Sequence, residues 1–357
     1  MKKNNMIKKF IMLGIIFSMS FCLISCGKKN DDPINSHSSG DANKTKVMVI
    51  GDYDIYMDEM MLYIFQTMIS QGATSSQWSD EIEENYKTYI LSQIRESKII
   101  YDVAMHNEVE LNERDMEVVK MSISNFKAII PQAVLDKYDI SDDIIEKVFK
   151  EQAIVAKFEN DIRNDMGQTI NDDVVKVYED TIFHTYYYMV FPTVEVTEND
   201  EPKTDDSGNY VYVSDEEKAK VLERAKEASE KINAGADCKD VAKEYGIEAY
   251  SRERSGYQGA YTDELNDVMS ALKENECTEP MEDTLGYIVY TMLIPDDTSL
   301  KSSYIAGMVQ ETLSEEYDKL KTQWLSTIAI DVENDMEGTV WSDLSLKDIL
   351  LNVEAAK

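Results

Sequence analysis

Residues 186–191, with the sequence YYYMVF, decide the fold of the segment that follows them. Tyr, Val and Phe suit a pleated, half-buried surface, so this run predicts a β-strand. A second run, LGYIVY at residues 285–290, predicts another strand towards the far end of the segment. Between the two lie an acidic insertion at residues 195–213 and a stretch with helical periodicity. Residues 181–294 are therefore predicted to combine strands and helices in one unit.

Helices are predicted between these two strands. Ser214 and Glu217 have the spacing of a capping box, and Gly235 is placed to end the helix that starts there. The apolar residues on one face of this helix are Val221, Ala225, Ala228 and Ile232. Those of a shorter second helix are Cys238, Val241, Ala242 and Tyr245. A glycine-containing turn at residues 256–261 and a helical piece up to Leu272 follow.

This order of elements resembles the parvulin family of peptidyl-prolyl isomerases. Residues 216–246, EEKAKVLERAKEASEKINAGADCKDVAKEYG, are similar to the first two parvulin helices and the break between them. GYQGAY at residues 256–261 resembles the family's GGDLGWF, and residues 272–293, LKENECTEPMEDTLGYIVYTML, resemble LKVGEVSEPVKTQFGYHIIKV. The resemblance implies an α+β domain that acts on Xaa-Pro bonds.

The same resemblance bears on the isomerase pocket, where the family carries two histidines and an acidic or thiol residue. In this register Tyr188 and Ile288 stand at the histidine positions and Ala249 at the third, while His184 falls outside. The pocket residues implied are Tyr188, Gln258, Tyr261, Met269 and Ile288. Because Ile288 forms no hydrogen bonds through its side chain, isomerase activity is expected to be weak or absent. An active isomerase remains the alternative, since Tyr188 keeps a hydroxyl.

The flanking sequence is predominantly helical. Helices are predicted at residues 57–70 and 79–106, after Asn112, after Ser141, after Asn171 over residues 172–180, and at residues 303–326. Strands are predicted at residues 47–50 and 328–332. Because each of these two strands would otherwise lack a partner, they are expected to pair with each other. The tail beyond Asp335 is expected to pack on the same helical body.

A second resemblance covers this flanking region. VMVIGDYDIYMDEM at residues 47–60 and INDDVVKVYED at residues 170–180 are similar to the start and end of the helical N-terminal domain of PrsA/SurA-type foldases. The whole chain is thus predicted to be α+β, a mostly helical SurA-like unit with an inserted parvulin-like domain. The expected divisions are 1–25 (signal peptide), 26–46 (flexible tether), 47–180 (helical domain), 181–295 (parvulin-like domain) and 296–357 (a helix and strand packing back on the helical domain).

The first 26 residues have the pattern of a lipoprotein signal peptide. Four lysines precede an apolar run at residues 10–24, and Leu23-Ile24-Ser25-Cys26 matches the bacterial lipobox. The pattern predicts lipid attachment at Cys26 and a location on the extracytoplasmic face of the membrane. An ordinary secretory signal that contains a cysteine is the alternative.

Composition narrows the partners. A net charge of −33 argues against nucleic acid, which requires a basic surface. His37, His106 and His184 are far apart in sequence and lack ligand spacing, so neither a zinc site nor a cofactor is expected. Residues 205–216 faintly resemble a calcium loop, but Tyr210 occupies the glycine position and a hairpin suffices. The resemblance implies unfolded or newly secreted polypeptides as partners; a homodimer and a disulfide between Cys238 and Cys277 stay open.

Overall fold

The computed structural model describes residues 45–197, 201–327 and 340–356. Its strands are β1 (Lys46–Ile50), β2 (Tyr53–Tyr56), β3 (Phe183–Pro192), β4 (Ser251–Tyr257), β5 (Met281–Asp283) and β6 (Gly286–Ile294). Its helices are α1 (Met57–Ser70), α2 (Asp80–His106), α3 (Glu113–Ile129), α4 (Gln132–Lys137), α5 (Asp142–Tyr178), α6 (Asp215–Asn233), α7 (Cys238–Glu244), α8 (Asp263–Ala271), α9 (Thr298–Thr327), α10 (Val340–Asp343) and α11 (Leu346–Ala355). The chain is α+β, as the sequence predicts.

The chain divides into two compact units. Residues 170–311 form one, here called the sheet unit, and the described residues of 45–169 and 312–356 form the other, here called the helical unit. Within the described ranges, no helix has both the length and the apolar run needed to cross a bilayer.

The helical unit begins with a hairpin rather than a lone strand. β1 pairs antiparallel with β2, with Ile50 opposite Tyr53, and Gly51 takes a positive φ of 57° in the turn. The argument that residues 47–50 lack a partner was therefore wrong, because no strand was predicted for residues 53–56, YDIY, which form β2. The strand predicted at residues 328–332 lies outside the described residues.

The predicted helix starts at Ser79 and Asn112 agree with the structure to within one residue. The Ser79 side chain accepts a hydrogen bond at the start of α2, and Asn112 with Asp115 forms the capping box of α3. The separate helix after Asn171 was wrong, because α5 runs through this position without a break. Asn is a poor helix former but not a breaker, and the buried side chains Ile170, Val174 and Tyr178 continue one helical face past it.

The core of the helical unit is formed around α1. Every residue of α1 from Asp58 to Phe65 is buried. The last helix, α11, contributes Leu346, Ile349, Leu350 and Val353 to the same core. Full burial of each such aliphatic side chain contributes about 1.5–3 kcal/mol, so the C-terminal residues stabilise the fold of this unit.

A buried ion network links three helices of this unit. Lys98 Nζ on α2 lies 2.5 Å from Glu59 on α1 and 2.5 Å from Glu151 on α5. Lys147, whose side chain is partly exposed, also contacts Glu59, with its Nζ 3.1 Å from a carboxylate oxygen. Burial alone would lower the pKa of Lys98, but the two carboxylates outweigh it and raise that pKa above its ordinary range. Lys98 therefore keeps its positive charge although it lies in the interior.

The sheet unit is an antiparallel sheet in the order β4-β3-β6-β5. Tyr187, Met189 and Phe191 of β3 pack with α6 and α7 in the core of this unit. The buried members of this core are Tyr187, Met189, Phe191, Val221, Ala225, Ala228, Ile232, Cys238, Val241, Ala242, Ile247, Cys277 and Val289. Because side chains alternate along a strand, the even-numbered residues of β3 lie on the opposite face.

The two cysteines described belong to this core and are both free. The Cys277 thiol donates to the Ser229 carbonyl oxygen at 3.2 Å, and burial raises the pKa of Cys238 to about 11. The alternative of a disulfide is therefore wrong for this structure, and both residues act as small buried side chains.

Candidate functional site

An aromatic surface covers the even-numbered side of the sheet. On the central strands Tyr186 lies opposite Met292 and Tyr188 opposite Tyr290. The remaining members come from α8 and the loops beside it. We call the set the aromatic face; its members are Tyr186, Tyr188, Tyr261, Leu265, Met269, Leu272, Tyr290 and Met292. Met269 and Met292, each 1 % exposed, form its floor together with the buried Tyr186, and Tyr188, Tyr261 and Tyr290 are partly exposed.

The tyrosine rings pack edge to face. The centroids of Tyr186 and Tyr290 are 5.8 Å apart with an interplanar angle of 62°, and those of Tyr186 and Tyr261 are 6.2 Å apart at 75°. This geometry is favourable for aromatic rings and gives each pair about 0.5–1.5 kcal/mol beyond burial. The face is therefore a well-ordered apolar surface that carries hydroxyl groups.

One polar pair stands at the edge of this face. His184 Nε2 and Tyr261 Oη share a hydrogen bond of 3.0 Å, and the two rings stack with their centroids 5.5 Å apart. Burial lowers the pKa of His184, which is 3 % exposed. Burial, with smaller effects of Tyr186 and Tyr290, raises the pKa of Tyr261 well above its ordinary range. Both groups are therefore neutral at pH 7, a hydroxyl beside an imidazole.

The loop before α8 holds Tyr261 in place. Asn266 donates from its side-chain amide to the Tyr261 carbonyl oxygen at 3.0 Å and accepts from the Gly259 amide at 2.9 Å. Gly259 has a φ of 93°, a conformation that favours glycine. A Cβ on Gly256 would lie 1.6 Å from the Tyr261 hydroxyl. Each glycine of the predicted turn is thus required by the local structure, Gly259 for its backbone conformation and Gly256 for the space that Tyr261 occupies.

The predicted pocket residues come together only in part. Tyr188, Tyr261 and Met269 all belong to the aromatic face. Ile288 lies on the same side of the sheet, one step of two residues from Tyr290 and opposite Val190. The Gln258 side chain is exposed, and only its backbone is fixed, by a bond from its amide to the Ile182 carbonyl.

One predicted residue lies elsewhere, and others of the site were not predicted. Ala249, which the family register places at the third polar position, is exposed in a short turn before β4. His184 was set aside because the family register excluded it. A sequence signal existed, because His184, Tyr186 and Tyr188 share the period of two that places strand residues on one face. Tyr186 and Tyr290 could have been found in the same way.

Comparison with known proteins identifies the domain. Residues 203–292 match the family model described as Rotamase: PPIC-type PPIASE domain. The chain is 22 % identical over 315 residues to Foldase protein PrsA of Clostridium tetani (strain Massachusetts / E88), covering 84 % of this chain and 86 % of that protein. The chain carries a PPIC-type rotamase domain and is of the PrsA foldase type.

Two further PrsA proteins are also similar to this chain. Foldase protein PrsA 3 of Bacillus anthracis is 25 % identical over 229 residues, covering 59 % of this chain and 77 % of that protein. The solved structure of PrsA from Bacillus subtilis is 14 % identical and covers 85 % of this chain and 98 % of that chain, with a TM-score of 0.25.

The aromatic face and the pair His184–Tyr261 offer a limited range of chemistry. The pair His184–Tyr261 supplies a neutral donor and acceptor, and the tyrosines and methionines supply apolar area. Among the described residues, no three His, Cys, Asp or Glu side chains gather as they would around a metal ion. Such a surface can bind a ring or an aliphatic side chain and direct a hydrogen bond at its edge.

Proposed function

We propose that the aromatic face holds proline-containing and aromatic segments of unfolded secreted chains, and that the domain isomerises Xaa-Pro bonds weakly. The carrying observation is the composition of the face, with rings around a methionine floor and the polar pair His184–Tyr261 at the rim. Burial of a client side chain against these rings is favourable without any ionised group.

Weak isomerisation follows from what the face lacks. Rotation about a prolyl bond has a barrier of about 18–20 kcal/mol, and catalysis requires tighter binding of the twisted amide than of either planar isomer. Ile288 offers no hydrogen bond at one of the two positions where the parvulin resemblance places histidine, and Tyr188 offers only a hydroxyl. The face therefore binds the client without a strong preference for the twisted state.

An active prolyl isomerase is the second candidate, and one observation favours it. The hydroxyl of Tyr261 and the imidazole of His184 are neutral and lie at the edge of the same apolar surface. A preorganised donor of this kind can stabilise a twisted amide whose nitrogen or oxygen comes within reach. In that case the functional histidine is His184, four residues before Tyr188, the position that the family register indicates.

We also propose that the protein is attached to the outer face of the cell membrane through a lipid on Cys26. The proposal is supported by the basic leader, the apolar run and the lipobox of residues 23–26. Attachment would hold the foldase where secreted chains emerge, and a mature chain rich in carboxylates would stay clear of anionic lipid.

One purified preparation can test both candidates. Suppression of aggregation of an unfolded client reports holding, and NMR exchange of an Ala-Pro peptide reports isomerisation. We expect holding that weakens when Tyr188 is replaced by Ala, with exchange close to the spontaneous rate. Rapid exchange that is lost in His184→Gln and Tyr261→Phe would instead establish the isomerase. If the double variant Tyr188→Ala, Tyr290→Ala suppressed aggregation as well as the wild type, the aromatic face would not be the surface that holds clients.

A further inference from the structure

Two arginines flank the aromatic face on the edge strand of the sheet. β4 pairs only with β3 in the described sheet, with Arg252 opposite Tyr188 and Arg254 opposite Tyr186. Directly paired residues of antiparallel strands project to the same side. Both arginines therefore stand on the side of the sheet that carries the aromatic face, next to its two central tyrosines.

Neither arginine is neutralised by the protein. Both side chains are exposed, and neither makes a hydrogen bond or an ion pair with any residue in the described ranges. The Arg252 guanidinium lies 6.0 Å from the centroid of the Tyr188 ring, within the range of a cation–π contact. Glu253, between them, points to the other side and pairs with Lys239 at 3.3 Å.

These two cations stand on a chain that is rich in carboxylates. The sequence has 69 acidic and 36 basic residues, so a surface cation has many carboxylates available to it. Three lysines of the sheet unit, Lys220, Lys226 and Lys231, each contact a glutamate. The pair on β4 is a local positive surface on a strongly negative protein.

The charge differs across the aromatic face. At the β4 edge stand Arg252 and Arg254, whereas on the β5 side Asp283 contributes to raising the pKa of Tyr290, after burial and Tyr186. An extended peptide lying across the face would therefore meet a positive edge and a negative edge. A carboxylate in that peptide is favoured only towards β4.

We propose that Arg252 and Arg254 select client segments that carry an acidic side chain beside the proline or aromatic residue held on the aromatic face. This inference rests on the proposed function. A guanidinium binds a carboxylate through two parallel N–H donors, which makes it selective for that group. Here the guanidinium of Arg252 is also oriented by the Tyr188 ring, so little freedom is lost when a carboxylate binds.

Matched peptides on the purified full-length protein test the proposal. The probes are three short peptides that differ only before a Pro-Phe pair, with Glu, Gln or Lys at that position, and binding is measured by fluorescence anisotropy. We expect the Glu peptide to bind about fivefold tighter than the Gln peptide, the scale of an exposed ion pair, and the Lys peptide to bind less tightly than Gln. Added salt should reduce the difference.

Variants separate this proposal from the function on which it rests. In Arg252→Gln with Arg254→Gln the Glu and Gln peptides should bind alike, with the Gln peptide unchanged. Arg114→Gln, which removes one exposed positive charge from the helical unit, should keep the preference. Equal binding of Glu and Gln peptides by the wild type, lost in Tyr188→Ala, would overturn the role of the arginines and leave the aromatic face intact. Failure of all three peptides to bind would overturn both.

Discussion

The hydroxyl of Tyr261 lies 3.0 Å from Nε2 of His184 and directly above the α-carbon of Gly256, the residue opposite His184 in the sheet. The absence of a side chain on Gly256 is what allows the phenol to reach the imidazole. A loop residue and a strand residue are thereby joined into one polar group at the rim of an apolar surface.

Tyr261→Phe tests the worth of this contact. The change keeps the ring and removes the hydroxyl, so His184 loses its described partner in a buried position. We expect the free energy of unfolding to fall by about 1–3 kcal/mol in urea denaturation. Tyr210→Phe, an exposed tyrosine on the acidic hairpin, is the control and should change little. Equal effects in the two variants would show that the hydrogen bond contributes nothing.

Gly256→Ala should disturb the same place by sterics. The added methyl would lie 1.6 Å from the Tyr261 hydroxyl, so the ring must leave its position and the hydrogen bond is lost. We expect destabilisation in urea denaturation that largely disappears when Tyr261 is also changed to Ala, a coupling that a double-mutant cycle measures. The control is Gly307→Ala in α9, where the methyl meets open space and should stabilise by up to about 1 kcal/mol. Additive effects of the first two changes would contradict the expectation.

His184 should make stability depend on pH. Its pKa is lowered in the folded protein from an ordinary value of 6.5, so as the pH falls below that value the unfolded chain takes up the proton first. The free energy of unfolding therefore decreases through this site as the solution is acidified, and the contribution is present above the unfolded pKa. We expect the stability difference between wild type and His184→Gln to shrink between about pH 8 and about pH 5 in urea denaturation. A constant difference would mean that the imidazole titrates normally.

Lys98→Met should be among the most damaging changes in the helical unit. It leaves Glu59 and Glu151 buried together without the cation that lies 2.5 Å from each. Loss of one member of such a network costs about 3–5 kcal/mol, which denaturant unfolding would report. Lys147→Met removes a partly exposed cation of the same network and should cost much less. Similar losses in the two variants would refute the dominant role of Lys98.

Cys26→Ala tests the proposed anchor. We expect the protein to leave the membrane fraction, or to remain as an uncleaved precursor, because the thiol that would carry the lipid is gone. Cell fractionation with gel mobility checks this. Cys238→Ala, at a buried core position, is the control and should keep the membrane association. Unchanged fractionation and size of the Cys26 variant would exclude a lipid on that residue.

Much of the helical structure could be predicted because its signals are local. The starts of α2 and α3 depend on hydrogen bonds that Ser79 and Asn112 accept within four residues of chain. The end of α6 before Gly235, which takes a φ of 101°, is equally local. The residues that define these helix ends are adjacent in sequence to the ends themselves.

The missed features depend on partners distant in sequence. β4 carries the residues SRERSGY, in which no apolar alternation exists, and its strand conformation comes from backbone pairing with β3 at the sheet edge. The position of His184 was misjudged because the family register was used in place of strand parity. Tyr261 is about 77 positions away from it, a separation across which sequence periodicity carries no information.

β3 has hydrogen-bonded neighbours on both sides. Its side chains pack against helices on one surface of the sheet and contribute to the aromatic face on the other. One inserted or deleted residue within β3 would exchange Tyr186 and Tyr188 with Tyr187 and Met189 and so disrupt the core and the aromatic face together. Evolution of this strand is thus confined to replacements at alternate positions. Under the proposed function, a client preference is more easily changed on β4, where the side chains of Arg252 and Arg254 are exposed to solvent.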